Sequence, residues 1–256
     1  MQDLFSITGK VAVVTGGSSG IGLMIARGFV EAGVRVYISS RKRDVCERVA
    51  HELSEIGSCI SIPADLSTEA GCRSLSEGVS SREDAVHILV NNAGANWSAP
   101  IEEFPDSAWD KVLALNLKAV FHNTRAFLPL LEKAARPEDP ARVINVGSID
   151  ALHVPALETY AYSSSKAGVH HLTRVLARKL APRGITVNAV APGPFESRMM
   201  HATIERFRDE IVQSCPLGRI GEPADMAGVA IYLSARASSY VTGTVIPVDG
   251  GISGCL

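Results

Sequence analysis

Several protein classes are excluded by what this sequence lacks. None of its apolar runs approaches the ~18 residues of a membrane-crossing helix, so no transmembrane span is expected. The opening stretch MQDLFSITGK has no basic segment followed by an apolar one, which argues against a signal peptide. Cysteine is sparse: Cys46, Cys59, Cys72, Cys215 and Cys255 are odd in number, far apart and free of any C-x-x-C. Reduced thiols in a soluble cytoplasmic protein are the simplest reading. The histidines form no H-x-x-x-H or H-E-x-x-H, and adjacent His170 and His171 cannot share a helical face, so no metal site is expected. Charge of one sign is missing too. A net charge of −2 gives no field to draw in nucleic acid or an anionic membrane.

What is present is an alternation. The 256 residues are 46% apolar and 20% charged, enough to bury a sizeable core, and α/β folds often run this length as one unit. Short β-branched runs at 11–15, 34–39, 58–63, 87–91, 142–146, 186–191 and 244–248 read as strands. Most are nearly all apolar, as strands covered on both faces are. Helical periodicity occupies 20–32, 43–56, 67–81, 106–134, 160–181 and 223–234. Gly33 and Gly184 follow helical patterns, where a left-handed residue suits a helix end. The pattern predicts one α/β domain over 1–256, a Rossmann-type doubly wound parallel sheet of about seven strands flanked by helices. The polar loop 136–140 is too short to divide it. The stretch 193–216 breaks the rhythm and is a candidate lid.

The first strand runs into Gly16-Gly17-Ser18-Ser19-Gly20-Ile21-Gly22, and a helical pattern follows. A turn without Cβ atoms lets the backbone approach a pyrophosphate, and the helix N-terminus offers unpaired N–H groups and a positive dipole end. An ordinary loop would also be glycine-rich; the place between first strand and first helix favours the nucleotide. An acid near the end of the second strand would bind ribose hydroxyls and repel a 2′-phosphate. Here the positions read Ser39-Ser40-Arg41-Lys42-Arg43, which favours NADPH over NADH, with Arg41 the best candidate for a forked phosphate contact. A solvated basic helix start is the alternative.

Tyr162 and Lys166 are four apart and share one helix face. A phenol with a pKa of about 10 is a poor proton shuttle at neutral pH, and lowering it by about three units takes roughly 4 kcal/mol. Burial has the wrong sign, whereas a nearby ammonium and an oxidised nicotinamide have the right one. A packed tyrosine beside a surface lysine is the bland reading. Ser148 closes the fifth strand, on the side where parallel sheets bind ligands, and could donate to a substrate oxygen or simply cap a turn. Asn91-Asn92-Ala93-Gly94 closes the fourth strand as a nucleotide-lining edge or a plain turn. Asn116 interrupts an apolar helical stripe, as a buried structural bridge or a water-holding functional group.

Taken together and in this order, TGGSSGIG (15–22), Asp65-Leu66, NNAG (91–94), Asn116, Ser148, YSSSK (162–166), Pro192-Gly193 and VTGTVIPVDGG (241–251) resemble the short-chain dehydrogenase/reductase family over essentially the whole chain. The resemblance implies Tyr162 as general acid in reduction and Lys166 as holder of the ribose hydroxyls. It implies Ser148 as the group polarising the carbonyl and Asn116 as anchor of a water chain. Asp65 and Leu66 would meet the adenine, Asn92, Ala93 and Gly94 would line the nucleotide, and Pro192, Gly193, Phe195 and Ser197 would cradle the nicotinamide end. Two departures stand out. Ser19 replaces a basic residue frequent in NADP-preferring members, and Ser197 replaces a threonine. Asp150, close to Ser148, either biases the pocket towards polar or cationic groups or faces solvent.

Within the family the likeness leans to 3-oxoacyl reductases, including those of rhamnolipid-type pathways, with polyol and sugar-acid dehydrogenases (gluconate 5-dehydrogenase-like) next. The lid carries Phe195, Met199, Met200, Ile204 and Phe207, and Trp97 follows NNAG; they form an adaptable wall for an acyl chain or a subunit contact. Arg183 matches a position used towards an acyl carrier protein, although Glu138 and Asp139 nearby have the wrong sign for an acidic partner. A thioester of coenzyme A therefore stays open. A non-catalytic NADP-binding sensor would have no need of Asn116, Ser148, Tyr162 and Lys166 together. The resemblance also implies a homo-oligomer, most often a tetramer.

Overall fold

Runs of β-branched residues with both faces covered are central strands, and seven of them lie side by side in the computed structural model, which describes residues 2–255. They are β1 (Val11–Thr15), β2 (Arg35–Ser39), β3 (Cys59–Ser61), β4 (Ile88–Asn91), β5 (Ala141–Val146), β6 (Ile185–Pro192) and β7 (Val245–Val248). Their order is β3-β2-β1-β4-β5-β6-β7, and every pairing is parallel. The expected strands are all present, with ends moved by a residue or two.

The helices are α1 (Gln2–Phe5), α2 (Gly20–Glu31), α3 (Arg43–Ser54), α4 (Glu69–Ser80), α5 (Asp106–Leu113), α6 (Ala119–Ala134), α7 (Tyr160–Leu180), α8 (His201–Ser214) and α9 (Pro223–Ser234). Side chains alternate across the sheet. Ala12, Val14, Val36, Ile38, Ile88 and Val90 pack under α2, α3 and α9, while Val11, Val13, Tyr37 and Leu89 pack under α4, α6 and α7. Each fully buried aliphatic side chain contributes about 1.5–3 kcal/mol, so the two layers supply most of the driving force. Gly28 lets α2 approach α9: a Cβ there would lie 2.5 Å from Cβ of Ala227. Gly33 and Gly184 do adopt the left-handed backbone, at φ +79° and +70°.

Two features differ from the sequence expectation. The single helix expected over 106–134 is broken by a π-helical turn, Ala114–Lys118, which carries Asn116. The stretch 193–216 contains α8, whose side chains are mostly exposed apart from Ile204. Among the described residues no helix is long and apolar enough to cross a membrane.

Candidate active site

All seven strands point the same way, so the loops that leave them collect on one edge. The strand order reverses between β1 and β4, which opens a crevice at their C-terminal ends. Thr15 ties this crevice together. Its hydroxyl accepts from the N–H of Asn92 (2.9 Å) and Ala93 (3.0 Å) and donates to the carbonyl of Val90 (3.2 Å). The Asn92 amide in turn donates to the Thr15 carbonyl at 2.8 Å. That amide also explains two glycines: a Cβ at Gly16 would stand 2.7 Å from its nitrogen, and one at Gly22 only 2.4 Å. The side chain of Asn92 thus braces the turn.

Ser19 is extended ahead of α2, and its side chain makes no capping bond, so the first-turn N–H groups of that helix keep no side-chain acceptor. Such an end accepts an anion. The segment leaving β6 crosses the same turn, since a Cβ at Gly20 would meet Cβ of Ser197 at 3.0 Å. Glycine turn, NNAG edge and Ser197 are therefore neighbours. Past β2, Arg43 is ion-paired with Glu47 at 3.1 Å, while Arg41 is exposed and makes no hydrogen bond or ion pair among the described residues. Asp65 turns back on its own loop: the Ser67 hydroxyl (2.8 Å) and N–H (3.1 Å) hold its carboxyl below the usual range, with a smaller pull from Arg41. Leu66 is in the core. A dinucleotide with a 2′-phosphate fits this donor set, because glycines leave its cradle open and Arg41 is uncommitted.

The reacting edge lies one strand further on. Tyr162 and Lys166 share a face of α7, with the ammonium 5.6 Å from the phenol ring centre. Lys166 is buried and donates to the carbonyl of Val146 at 2.7 Å; burial pulls its pKa down to about 8, against the charge of Asp150. Burial pushes the Tyr162 phenol up to about 12, while Ser148 beside it pulls it down and Asp150 pushes it up. The expected lowering by Lys166 is not among the influences on the phenol here, and desolvation leads them. Of its two expected parts Ser148 shows the cap, because its oxygen accepts from the Asp150 N–H at 3.1 Å at the start of the short turn Ile149–Ala151.

Asn116 reaches the same place from the π-helical turn. Its amide accepts from the Ala95 N–H (2.8 Å) and donates to the Ala95 carbonyl and the Ser165 hydroxyl, both at 3.0 Å. Ser165 then donates to the carbonyl of Tyr162 at 2.7 Å. This side chain is a structural bridge between the loop after β4 and α7. Gly94 sits above it, where a Cβ would be 3.4 Å from Asn116 Oδ1 and 3.8 Å from Lys166 Nζ.

Asp150 faces inward. It is half-buried, its carboxyl is raised by burial, and the charges of His153 and Lys166 pull the other way. His153 had no signal in the sequence, lying in a loop among exposed Leu152 and Val154. Arg183 forms a solvent-exposed ion pair with Glu132. Of the lid residues, Phe195 and Ile204 are buried while Met199 and Phe207 stay exposed. A cleft of about 420 Å³ opens at the lid's foot, beside Phe195, Pro216, Leu217, Val248 and Asp249.

A seven-stranded parallel sheet with a glycine turn at its switch point and a serine–tyrosine–lysine group beside it defines a class. The family model described as Enoyl-(Acyl carrier protein) reductase matches residues 13–253, and the chain belongs to the short-chain dehydrogenase/reductase family of oxidoreductases. It is similar to the rhamnolipids biosynthesis 3-oxoacyl-[acyl-carrier-protein] reductase of Pseudomonas aeruginosa, at 47% identity over 98% of this chain and 99% of that one. Galactitol 2-dehydrogenase (L-tagatose-forming) of Cereibacter sphaeroides is 36% identical, over 98% and 97%. The Pseudomonas aeruginosa RhlG/NADP active-site complex superposes with a TM-score of 0.95 at 46% identity, covering 99% of this chain and 100% of that one. A Burkholderia cenocepacia gluconate 5-dehydrogenase in complex with NADP and tartrate gives 0.92 at 30% identity, covering 99% of each.

Proposed function

We propose that the chain is an NADPH-dependent reductase that turns a ketone into a secondary alcohol, with 3-oxoacyl thioesters as its substrate class. The observation that carries the chemistry is the pairing of Tyr162 with Ser148, one helical turn from Lys166, at the same edge as the glycine turn. NADPH, when bound, supplies the hydride. Ser148 and Tyr162 hold the substrate oxygen between two hydroxyls, and Tyr162 gives its proton to that oxygen as negative charge develops there. Lys166, fixed by the Val146 carbonyl, keeps a positive charge under the phenol and holds the ribose hydroxyls. Asn116 fixes the backbone around Ala95 and Tyr162. Gly16, Ser18, Ser19, Gly20, Ile21 and Gly22 take the pyrophosphate, Ser40 and Arg41 the 2′-phosphate, Asp65 and Leu66 the adenine, and Asn92, Ala93 and Gly94 the nucleotide's inner edge. Pro192, Gly193, Phe195 and Ser197 take the nicotinamide end.

The 47% identity to a 3-oxoacyl reductase supports the substrate class. A polyol or sugar-acid substrate is the second reading, favoured by the inward carboxylate of Asp150 and by the galactitol and gluconate relatives. Turnover of acetoacetyl-CoA, longer 3-oxoacyl thioesters and a ketosugar panel with NADPH separates them; activity on sugars alone removes the first reading. The free thiols of Cys46, Cys59, Cys72, Cys215 and Cys255 suit a cytoplasmic setting. Exposed Phe121 on α6 and Val175 on α7 flank an apolar groove that suits self-association, and we read the working form as a homotetramer.

A further inference from the structure

Asp150 is a charged group at the reacting edge that the mechanism above does not use. Its N–H bonds to Ser148 Oγ, which fixes the carboxylate two residues from a hydroxyl that meets the substrate oxygen. The carboxylate is half-buried, yet no hydrogen bond or ion pair engages it among the described residues. Lys166 and His153 act on it through charge, without a hydrogen bond to it among the described residues. A ligand that brings an N–H or O–H to this carboxylate gains a hydrogen bond to a charged acceptor.

A simple 3-oxoacyl chain has no such donor. The pantetheine arm, common to coenzyme A and acyl carrier proteins, has one: its first amide N–H lies a few bonds beyond the thioester sulfur. We infer that Asp150 is a specificity-determining residue that accepts a hydrogen bond from the amide N–H of a pantetheine-type thioester, so that the enzyme selects 3-oxoacyl thioesters over simple keto esters. This rests on the 3-oxoacyl reading above.

The test removes the donor from the substrate before touching the protein. The probes are the acetoacetyl thioester of N-acetylcysteamine and its N-methylated amide, assayed with NADPH on the full chain. A hydrogen bond to a charged acceptor is worth enough that N-methylation should lower kcat/KM about tenfold or more, chiefly through KM. In Asp150→Ala the two thioesters should be used equally, and Asp150→Asn, which keeps an acceptor oxygen, should restore part of the difference. Equal use of both thioesters by the unaltered enzyme overturns the inference while leaving the 3-oxoacyl reading intact. No turnover of either thioester, with turnover of ketosugars, overturns both. Because the decisive comparison needs no variant, a folding defect in Asp150→Ala cannot mask the outcome.

Discussion

The two ends of the sheet treat charge in opposite ways. At the N-terminal end, Lys10 and Arg142 are buried on either side of Asp139, at 2.7 Å and 3.0 Å. Lys10 also donates to the carbonyl of Ser234, and Arg142 to those of Ala235 and Pro140. Nearly every donor there has an acceptor within the chain, and the cluster ties the starts of β1 and β5 to the end of α9. At the C-terminal end, the Asp150 carboxylate has no donor and the Tyr162 phenol is held far from its working range. Lys166 has a single bond. Buried charge that is satisfied internally stabilises a fold, whereas buried charge that is not awaits a ligand.

Variants can break this contrast. Ser148→Ala should lower kcat by about 10²–10³ while leaving urea unfolding nearly unchanged, because it removes a donor to the developing oxyanion. Asp139→Asn should do the reverse. Leaving two buried cations short of their anion costs about 3–5 kcal/mol, read as a fall in the urea midpoint, with kcat per folded molecule close to normal. Equal losses of stability and turnover in both variants would erase the distinction between the two ends.

Smaller effects sharpen it. Arg41→Asp should raise the KM for NADPH far more than that for NADH; an unchanged ratio means that the phosphate is read elsewhere. Away from either end, Asp225 is gripped by Arg219 at 2.6 Å and accepts from the Glu222 N–H at the start of α9, and these contacts lower its pKa to about 2. A depressed carboxyl stabilises the fold above its unfolded pKa, near 4, and loses that contribution as pH falls through 2. Asp225→Asn should therefore cost about 1 kcal/mol at pH 7, after allowance for its solvent exposure, and nothing at pH 2. Thermal unfolding across that range reads the difference.

Strands were legible as short, nearly all-apolar runs covered on both faces, and most helices because burial leaves a period of 3.6 in their residues. The helix α8 was not, since only Ile204 is buried and the backbone kinks at Phe207. Asn116 advertised itself as a polar intruder, but nothing in its neighbours announced the π-helical turn that aims it at Ala95. The charges at 41–43 were visible as a group; that Arg43 is spent on Glu47 and Arg41 is not depends on side-chain reach. The direction Asp150 faces is set by the short turn capped by Ser148, which residue order does not reveal. Spacing placed Tyr162 and Lys166 together. It did not reveal that burial would raise the phenol's pKa.

The central claim is that Tyr162 supplies the proton. It is tested most directly by titrating NADPH into Tyr162→Phe and measuring its turnover of a 3-oxoacyl thioester that the unaltered enzyme reduces. The account predicts nearly intact NADPH affinity with kcat lowered by about 10³ or more. A near-normal kcat in that variant would contradict it.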